Sequence, residues 1–121
     1  MKIAVIGASN NREKFGNKCV RAYLMKGHEV FPVNPKEEKI EGLKAYKSVL
    51  DIPEKVDVAS LYLPPEIGIK AAEDIIRKKV PRVFLNPGTE SKELIGKLKK
   101  KGIDVQERCS IIAIGINPSE L

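Results

Sequence analysis

Apolar residues along this chain come in two textures that alternate from end to end. Five short, nearly continuous runs rich in β-branched residues read as strands buried on both faces: KIAVIG from Lys2, HEVFPV from His28, DVASLYL from Asp57, RVFLN from Arg82 and IDVQE from Ile103. Between them the apolar positions keep helical spacing. Phe15, Cys19, Val20, Tyr23 and Leu24 form one stripe, Ile67, Ala71, Ala72, Ile75 and Ile76 a second, and Leu94, Ile95 and Leu98 a third. Gly27 and Gly102 follow the first and third stripes where helix C-terminal caps belong.

Alternating strands and helices imply right-handed βαβ units and a parallel sheet with helices on both faces. The predicted fold class is therefore α/β: a single Rossmann-like, doubly wound domain over residues 1–121 with a mainly parallel sheet of five to six strands. The segment IEGLKAYKSVLDIPEKV is too long for a bare loop, and it predicts a short strand around Leu43 to Tyr46 and one helical turn from Ser48 to Ile52. Counting that strand as the third, six strands follow in the order 3-2-1-4-5-6.

The chain of 121 residues carries 22 Lys and Arg against 16 Asp and Glu, a net charge of +6 spread along its length except for the run Lys99 to Lys101. That run suits a helix C-terminus, so the charge points to an anionic small ligand rather than to nucleic acid. No apolar run approaches membrane-spanning length, and MKIAVIG is a strand pattern rather than a leader, which predicts a cytoplasmic protein without membrane contact. Cys19 and Cys109 lie far apart without Cys or His neighbours in metal-ligand spacing, so neither zinc nor a disulfide framework is indicated.

Ligands of open parallel sheets bind beyond the carboxyl ends of the strands. Those ends are Gly7-Ala8-Ser9, Val33-Asn34-Pro35-Lys36, Leu63-Pro64-Pro65, Asn86-Pro87-Gly88 and Glu107-Arg108-Cys109. Gly7 permits a tight turn, after which backbone N–H groups and the Ser9 hydroxyl can face an anion at a helix N-terminus. The G-x-G-x-x-G spacing of dinucleotide sites is absent: Ala8 and Ser9 replace the second glycine, and Asn10 to Lys14 delay the helix until Phe15 and Gly16. The loop is roomier for it, with Arg12 and Lys14 as counter-charges. After the second strand, where an NAD site places Asp or Glu on the ribose, stand Asn34, Pro35 and Lys36. A lysine there suits a phosphate on the ribose, leaving NADP with its 2′-phosphate and coenzyme A with its 3′-phosphate as candidates.

VIGAS with Lys14 and Gly16, then VFPVNP, IEGLKAYKSVLDIP, VDVASLYLPP and ERC, resemble the small stand-alone CoA-binding domain proteins. Through them the chain is similar to the amino-terminal CoA-binding domain of succinyl-CoA synthetase α-subunits and of NDP-forming acyl-CoA synthetases. The resemblance covers nearly the whole chain and implies a domain that holds the ADP part of CoA. It implies Ser9, Asn10, Lys14 and Gly16 on a phosphate-facing loop, Asn34 and Lys36 after the second strand, and Leu63, Pro64 and Pro65 beside adenine and pantetheine. Gly7, Ala8, Phe15, Val33, Pro35 and Cys109 complete the expected binding set. The chain departs from its relatives at LNPGTES, where many carry Trp and Gln. The domain that supplies a phosphorylated histidine in the larger synthetases has no counterpart among these residues.

The single histidine, His28, opens the second strand on the edge opposite the proposed site, and no Ser/His/Asp set or carboxylate pair suggests catalysis. The expected function is non-catalytic binding of CoA or acyl-CoA by a monomer or homodimer: a carrier, a sensor, or a module working with a separately encoded acyl-CoA synthetase or acyltransferase component. Two other readings stay open, an NADP-dependent reductase domain and an interaction module with no small ligand. Cys19 reads as a buried thiol. Cys109, between Arg108 and Ser110, is expected to be partly exposed, redox-sensitive and able to exchange with the CoA thiol.

Overall fold

The computed structural model describes residues 1–121. In chain order its elements are β1 (Lys2–Ile6), α1 (Phe15–Met25), β2 (Glu29–Val33), β3 (Lys39–Ile40), β4 (Leu43–Lys44), β5 (Val58–Leu61), α2 (Pro65–Lys78), β6 (Arg82–Leu85), α3 (Lys92–Lys100), β7 (Asp104–Gln106) and α4 (Ser110–Ala113). Five strands form one parallel sheet in the order β2-β1-β5-β6-β7. The strand order reverses between β1 and β5, so a crevice opens at their carboxyl ends.

Strand residues alternate between two buried layers, as a period of two requires. Ala4, Ile6, Ala59, Leu61, Val83 and Leu85 face one layer, closed by Ala72 and Ile75 of α2 and Leu94 and Leu98 of α3. Ile3, Val5, Val58 and Phe84 face the other, closed by Cys19, Val20 and Tyr23 of α1 and Ile111 of α4. Burial on both sides explains why these strands show no polar alternation.

The expected sixth strand is reduced to one residue. Tyr46 forms a single parallel bridge with Val33: its N–H donates to the Pro32 carbonyl at 2.9 Å and its carbonyl accepts from the Asn34 N–H at 2.9 Å. Pro32 has no N–H to extend that ladder, which is why proline belongs on such an edge. Leu43 and Lys44 pair instead with Lys39 and Ile40 in an antiparallel hairpin. Glu41 and Gly42, both at positive φ (50° and 77°), form its turn. Ile40 anchors the hairpin, fully buried in the α1 layer. The helical turn expected from Ser48 is a 3-10 turn over Val49–Asp51, capped by the Ser48 hydroxyl. No helix is long and apolar enough to cross a membrane.

Candidate functional site

The carboxyl ends of β1, β2, β5 and β6, with the start of α4, surround a cleft of about 1460 Å³. Its first wall depends on two glycines set far apart. Gly7 turns the chain at φ 93°, and a Cβ there would overlap the Tyr62 carbonyl oxygen. A Cβ on Gly16 would overlap the carbonyl oxygen of Gly7 itself. The start of α1 is thus seated directly on the turn leaving β1, the close approach a dinucleotide motif reaches with tighter glycine spacing. The residues between form a separate lobe.

That lobe is held from behind. Buried Asn17 donates to the Ser9 carbonyl at 2.8 Å and to Glu41 Oε2 at 3.1 Å, and accepts from Arg21 Nε at 2.7 Å. Arg21 also donates to the Arg12 carbonyl at 2.8 Å. Arg12 pairs with Glu41 at 3.3 Å and does not line the cleft, so of the two expected counter-charges only Lys14 faces it. Asn10 also lies outside the cleft wall, its amide donating to Glu37 Oε2 at 2.6 Å and the Lys39 carbonyl at 2.9 Å. Both side chains are drawn to the hairpin and the residues leading into it, where Glu37, the Lys39 carbonyl and Glu41 offer acceptors beside the loop.

The other expected residues, Gly7, Ala8, Ser9, Lys14, Phe15, Gly16, Val33, Asn34, Pro35, Lys36, Leu63, Pro64, Pro65 and Cys109, all line the cleft. Asn34 stands where an acid would hold a ribose. Its carboxamide donates to the Ala8 carbonyl at 2.8 Å and accepts from the Lys36 N–H at 2.8 Å, tying the β1 and β2 loops together. Phe15 and Ile67 were expected on core stripes, yet they are 52% and 49% exposed and line the cleft. They sit in the first turns of α1 and α2, at the sheet's open edge.

Lys14, Lys18, Lys36 and Lys47 all reach this wall, and none forms an ion pair. Lys18 Nζ donates to the Pro118 carbonyl at 3.2 Å and lies 5.3 Å from the centre of the Phe15 ring. Cations without carboxylate partners in a concave wall raise the local potential and favour an anionic occupant. No group of three His, Cys, Asp or Glu side chains is close enough to hold a metal ion.

Beneath the end of the cleft nearest α4 lies a buried polar knot. Asn86, 1% exposed, donates to the Ser60 hydroxyl and the Leu61 carbonyl, both at 2.8 Å, and accepts from the Ser110 N–H at 2.9 Å. The Ser60 and Ser110 hydroxyls meet at 2.7 Å, Tyr62 approaches Ser110 at 3.1 Å, and the Tyr23 hydroxyl donates to the Ser110 carbonyl at 2.8 Å. Cys19 Sγ lies 3.5 Å from the Ser110 hydroxyl. Burial pushes the Cys19 thiol and both tyrosine hydroxyls above their ordinary pKa values, so the knot stays neutral. Cys109 is half-buried on the cleft wall, while the Arg108 guanidinium lies 5.8 Å from the centre of the Phe84 ring. His28 meets the Met1 amino nitrogen at 3.2 Å, away from the cleft.

Sequence reasoning read Asn86 only as a strand end and did not single out Lys18, Lys47, Ser48, Tyr62 or Asp74. Asn-Pro directly after a buried strand was the available signal for Asn86. Lys18 stands one helical turn beyond Lys14, a spacing that places both on one face.

Residues 1–115 match the CoA binding domain family. The ADP-forming acetate–CoA ligase I of Archaeoglobus fulgidus is 37% identical over 117 residues, covering 95% of this chain and 17% of that enzyme. A conserved hypothetical protein from Pyrococcus furiosus superposes with a TM-score of 0.87 at 40% identity, over 93% of this chain and 97% of that one. A dinucleotide-forming acetyl-coenzyme A synthetase from Ca. Korarchaeum cryptofilum, in complex with phosphate and ADP, superposes with a TM-score of 0.80 at 31% identity, over 88% of this chain and 25% of that one. The chain spans less than a fifth of the length of the ADP-forming ligases that match it from end to end. Every strand and α-helix described above falls within the matched residues, and the chain belongs to the CoA-binding domain family.

Proposed function

We propose that the cleft binds coenzyme A or its acyl thioester, with the ADP part along the β1 and β2 loops and the pantetheine arm running toward Cys109. The observation that carries this reading is the lysine set, Lys36 above all: four cations without ion-pair partners line a cleft whose β2 end offers no acid to a ribose. The protein serves in the cytoplasm as a CoA carrier or sensor, or as one separately encoded part of a synthetase.

Thermal unfolding with added ligand tests the reading, because a ligand that binds only the native state raises Tm by mass action. CoA and 3′,5′-ADP should both raise it and NADPH should not. Stabilisation by NADPH without stabilisation by CoA overturns the proposal. Lys36→Ala should weaken CoA roughly fivefold, about 1 kcal/mol for an exposed charge-assisted contact, and weaken dephospho-CoA less. Equal losses would remove Lys36 from the 3′-phosphate.

The same reading gives Cys109 a role. Attack of its thiolate on CoA disulfide would form a Cys109–CoA disulfide and release one CoA thiolate, with no further oxidant. Intact mass spectrometry should show one added CoA, removed by reductant and absent in Cys109→Ser. An adduct that persists in that variant belongs to another side chain.

A further inference from the structure

One charge in the cleft has the wrong sign for an anionic ligand. Among the lining residues, which include Lys14, Lys18, Lys36 and Lys47, Asp74 is the only carboxylate. A carboxylate in such a wall repels phosphate, so it belongs opposite a part of the ligand that donates hydrogen bonds.

Its surroundings narrow what that part is. Ile67, Ala71 and Asp74 stand at helical spacing on α2, and all three line the cleft. The 3-10 turn packs against α2 and adds Val49, 2% exposed, while Leu63 adds a further apolar surface. Val49, Leu63, Ile67 and Ala71 are the apolar members of this part of the wall, and Ser48 and Asp74 are its polar ones. The Ser48 hydroxyl donates to Asp74 Oδ2 at 3.1 Å. Ser48 is itself fixed by the cap, its N–H on Asp51 Oδ2 at 3.1 Å and its hydroxyl accepting from the Leu50 N–H at 3.2 Å. Asp74 forms no ion pair, and its second oxygen, Oδ1, has no donor from the protein. Because Tyr46 bridges to Val33, Lys47 to Val49 follow beside the end of β2, on the side of the sheet away from β7 and Cys109.

We propose that this part of the wall seats the base of the ligand, and that Asp74 selects a 6-aminopurine by accepting a hydrogen bond from its exocyclic amine at Oδ1. The proposal rests on the CoA reading and adds to it a preference at the base. A flat heteroaromatic ring suits walls made by Val49, Leu63, Ile67 and Ala71. A 6-oxopurine would turn a carbonyl toward the carboxylate, leaving two acceptors facing each other.

Isothermal titration with 3′,5′-ADP and its hypoxanthine counterpart 3′,5′-IDP, alongside CoA, tests the proposal. A site built around one polar contact to the ligand discriminates strongly against an analogue that cannot make it, so the wild type should prefer the amino base by about tenfold or more. Asp74→Ala should bring the ratio toward unity mainly by weakening 3′,5′-ADP. Asp74→Asn should lower the ratio further, because its amide can donate to the 6-oxo group. Each variant keeps a side chain that α2 accommodates, and unchanged circular dichroism verifies the fold. Equal wild-type affinity for the two nucleotides overturns this proposal and leaves CoA binding standing, as do variants that weaken both nucleotides by one factor. A wild type that takes up neither CoA nor 3′,5′-ADP overturns both.

Discussion

The layer between the sheet and α2 and α3 buries a cluster of apolar side chains running from Ala4 and Ile6 to Leu94 and Leu98. The layer under α1 and α4 buries a comparable apolar set, yet it also holds the hydroxyls of Ser60 and Ser110, the Asn86 amide and the Cys19 thiol. Every buried polar side-chain atom in the protein has a partner. Dispersion and area can hold the first layer in many equivalent packings, whereas hydrogen bonds of fixed direction leave the second one arrangement. The constrained layer is the one beneath the Cys109 end of the cleft.

The contrast breaks most severely on the apolar side. Ile75→Ala, at a fully buried position, should lower unfolding free energy by about 2–5 kcal/mol in urea while leaving CoA affinity of the folded protein unchanged. A loss of affinity would show that the two layers are not separate. On the polar side, Asn86→Ala removes partners from Ser60, Leu61 and Ser110 together, and should cost about 1–3 kcal/mol. Here CoA affinity should fall as well, since Asn86 positions the cleft floor, and calorimetry separates the two effects.

Alkali sharpens the comparison, because only the polar layer holds buried groups that titrate there. Burial raises Cys19, Tyr62 and Tyr23, so the native state keeps protons that the unfolded state releases. Stability is therefore complete below the ordinary thiol value of 9.0 and declines as pH rises above it. Urea unfolding of Cys19→Ala should show the decline starting later, nearer the ordinary tyrosine value of 10.0. An unchanged alkaline limb would mean that the thiol is not sealed in.

The smallest effect belongs to the surface. Glu73 is held below its ordinary value by Lys97, Glu54 by Lys2, and Asp104 by Gln106 and then Arg82, the three carboxylates all at exposed positions. Their contribution is present above the ordinary carboxylate range and lost as pH falls through their lowered values. Solvent screening keeps it slight. Asp104→Asn should leave the acid limb of the unfolding curve nearly superimposable on the wild type.

The sheet was legible because its inner strands are buried on both faces and therefore read as unbroken apolar runs. The short strand expected around Leu43 to Tyr46 forms, but joins the sheet only through Tyr46 for a local reason, the missing N–H of Pro32 together with a Glu41–Gly42 turn that folds Leu43 back on Ile40. Loop residues of the cleft were legible because strand ends fix where they must gather. Asn10 and Arg12 were not, since a loop sequence does not reveal which side a hairpin will approach. Ile67 and Ala71 read as part of a core stripe, and Asp74 carries no signal beside them, for a different reason. Periodicity defines a stripe on α2, but not how far that stripe runs past the sheet edge.

The knot around Ser110 also orders events in time. Tyr23 waits for an acceptor 87 positions further along, and Lys18 for one 100 positions away. During synthesis α1 emerges early, while the groups that complete its inner face are made near the end of this stretch. The members of the α2 and α3 layer between Val49 and Leu98 are nearer one another in sequence and can consolidate first, because short loops close at lower entropic cost. The Cys109 end of the cleft would therefore be completed last, after the β1 and β2 loops at its other end.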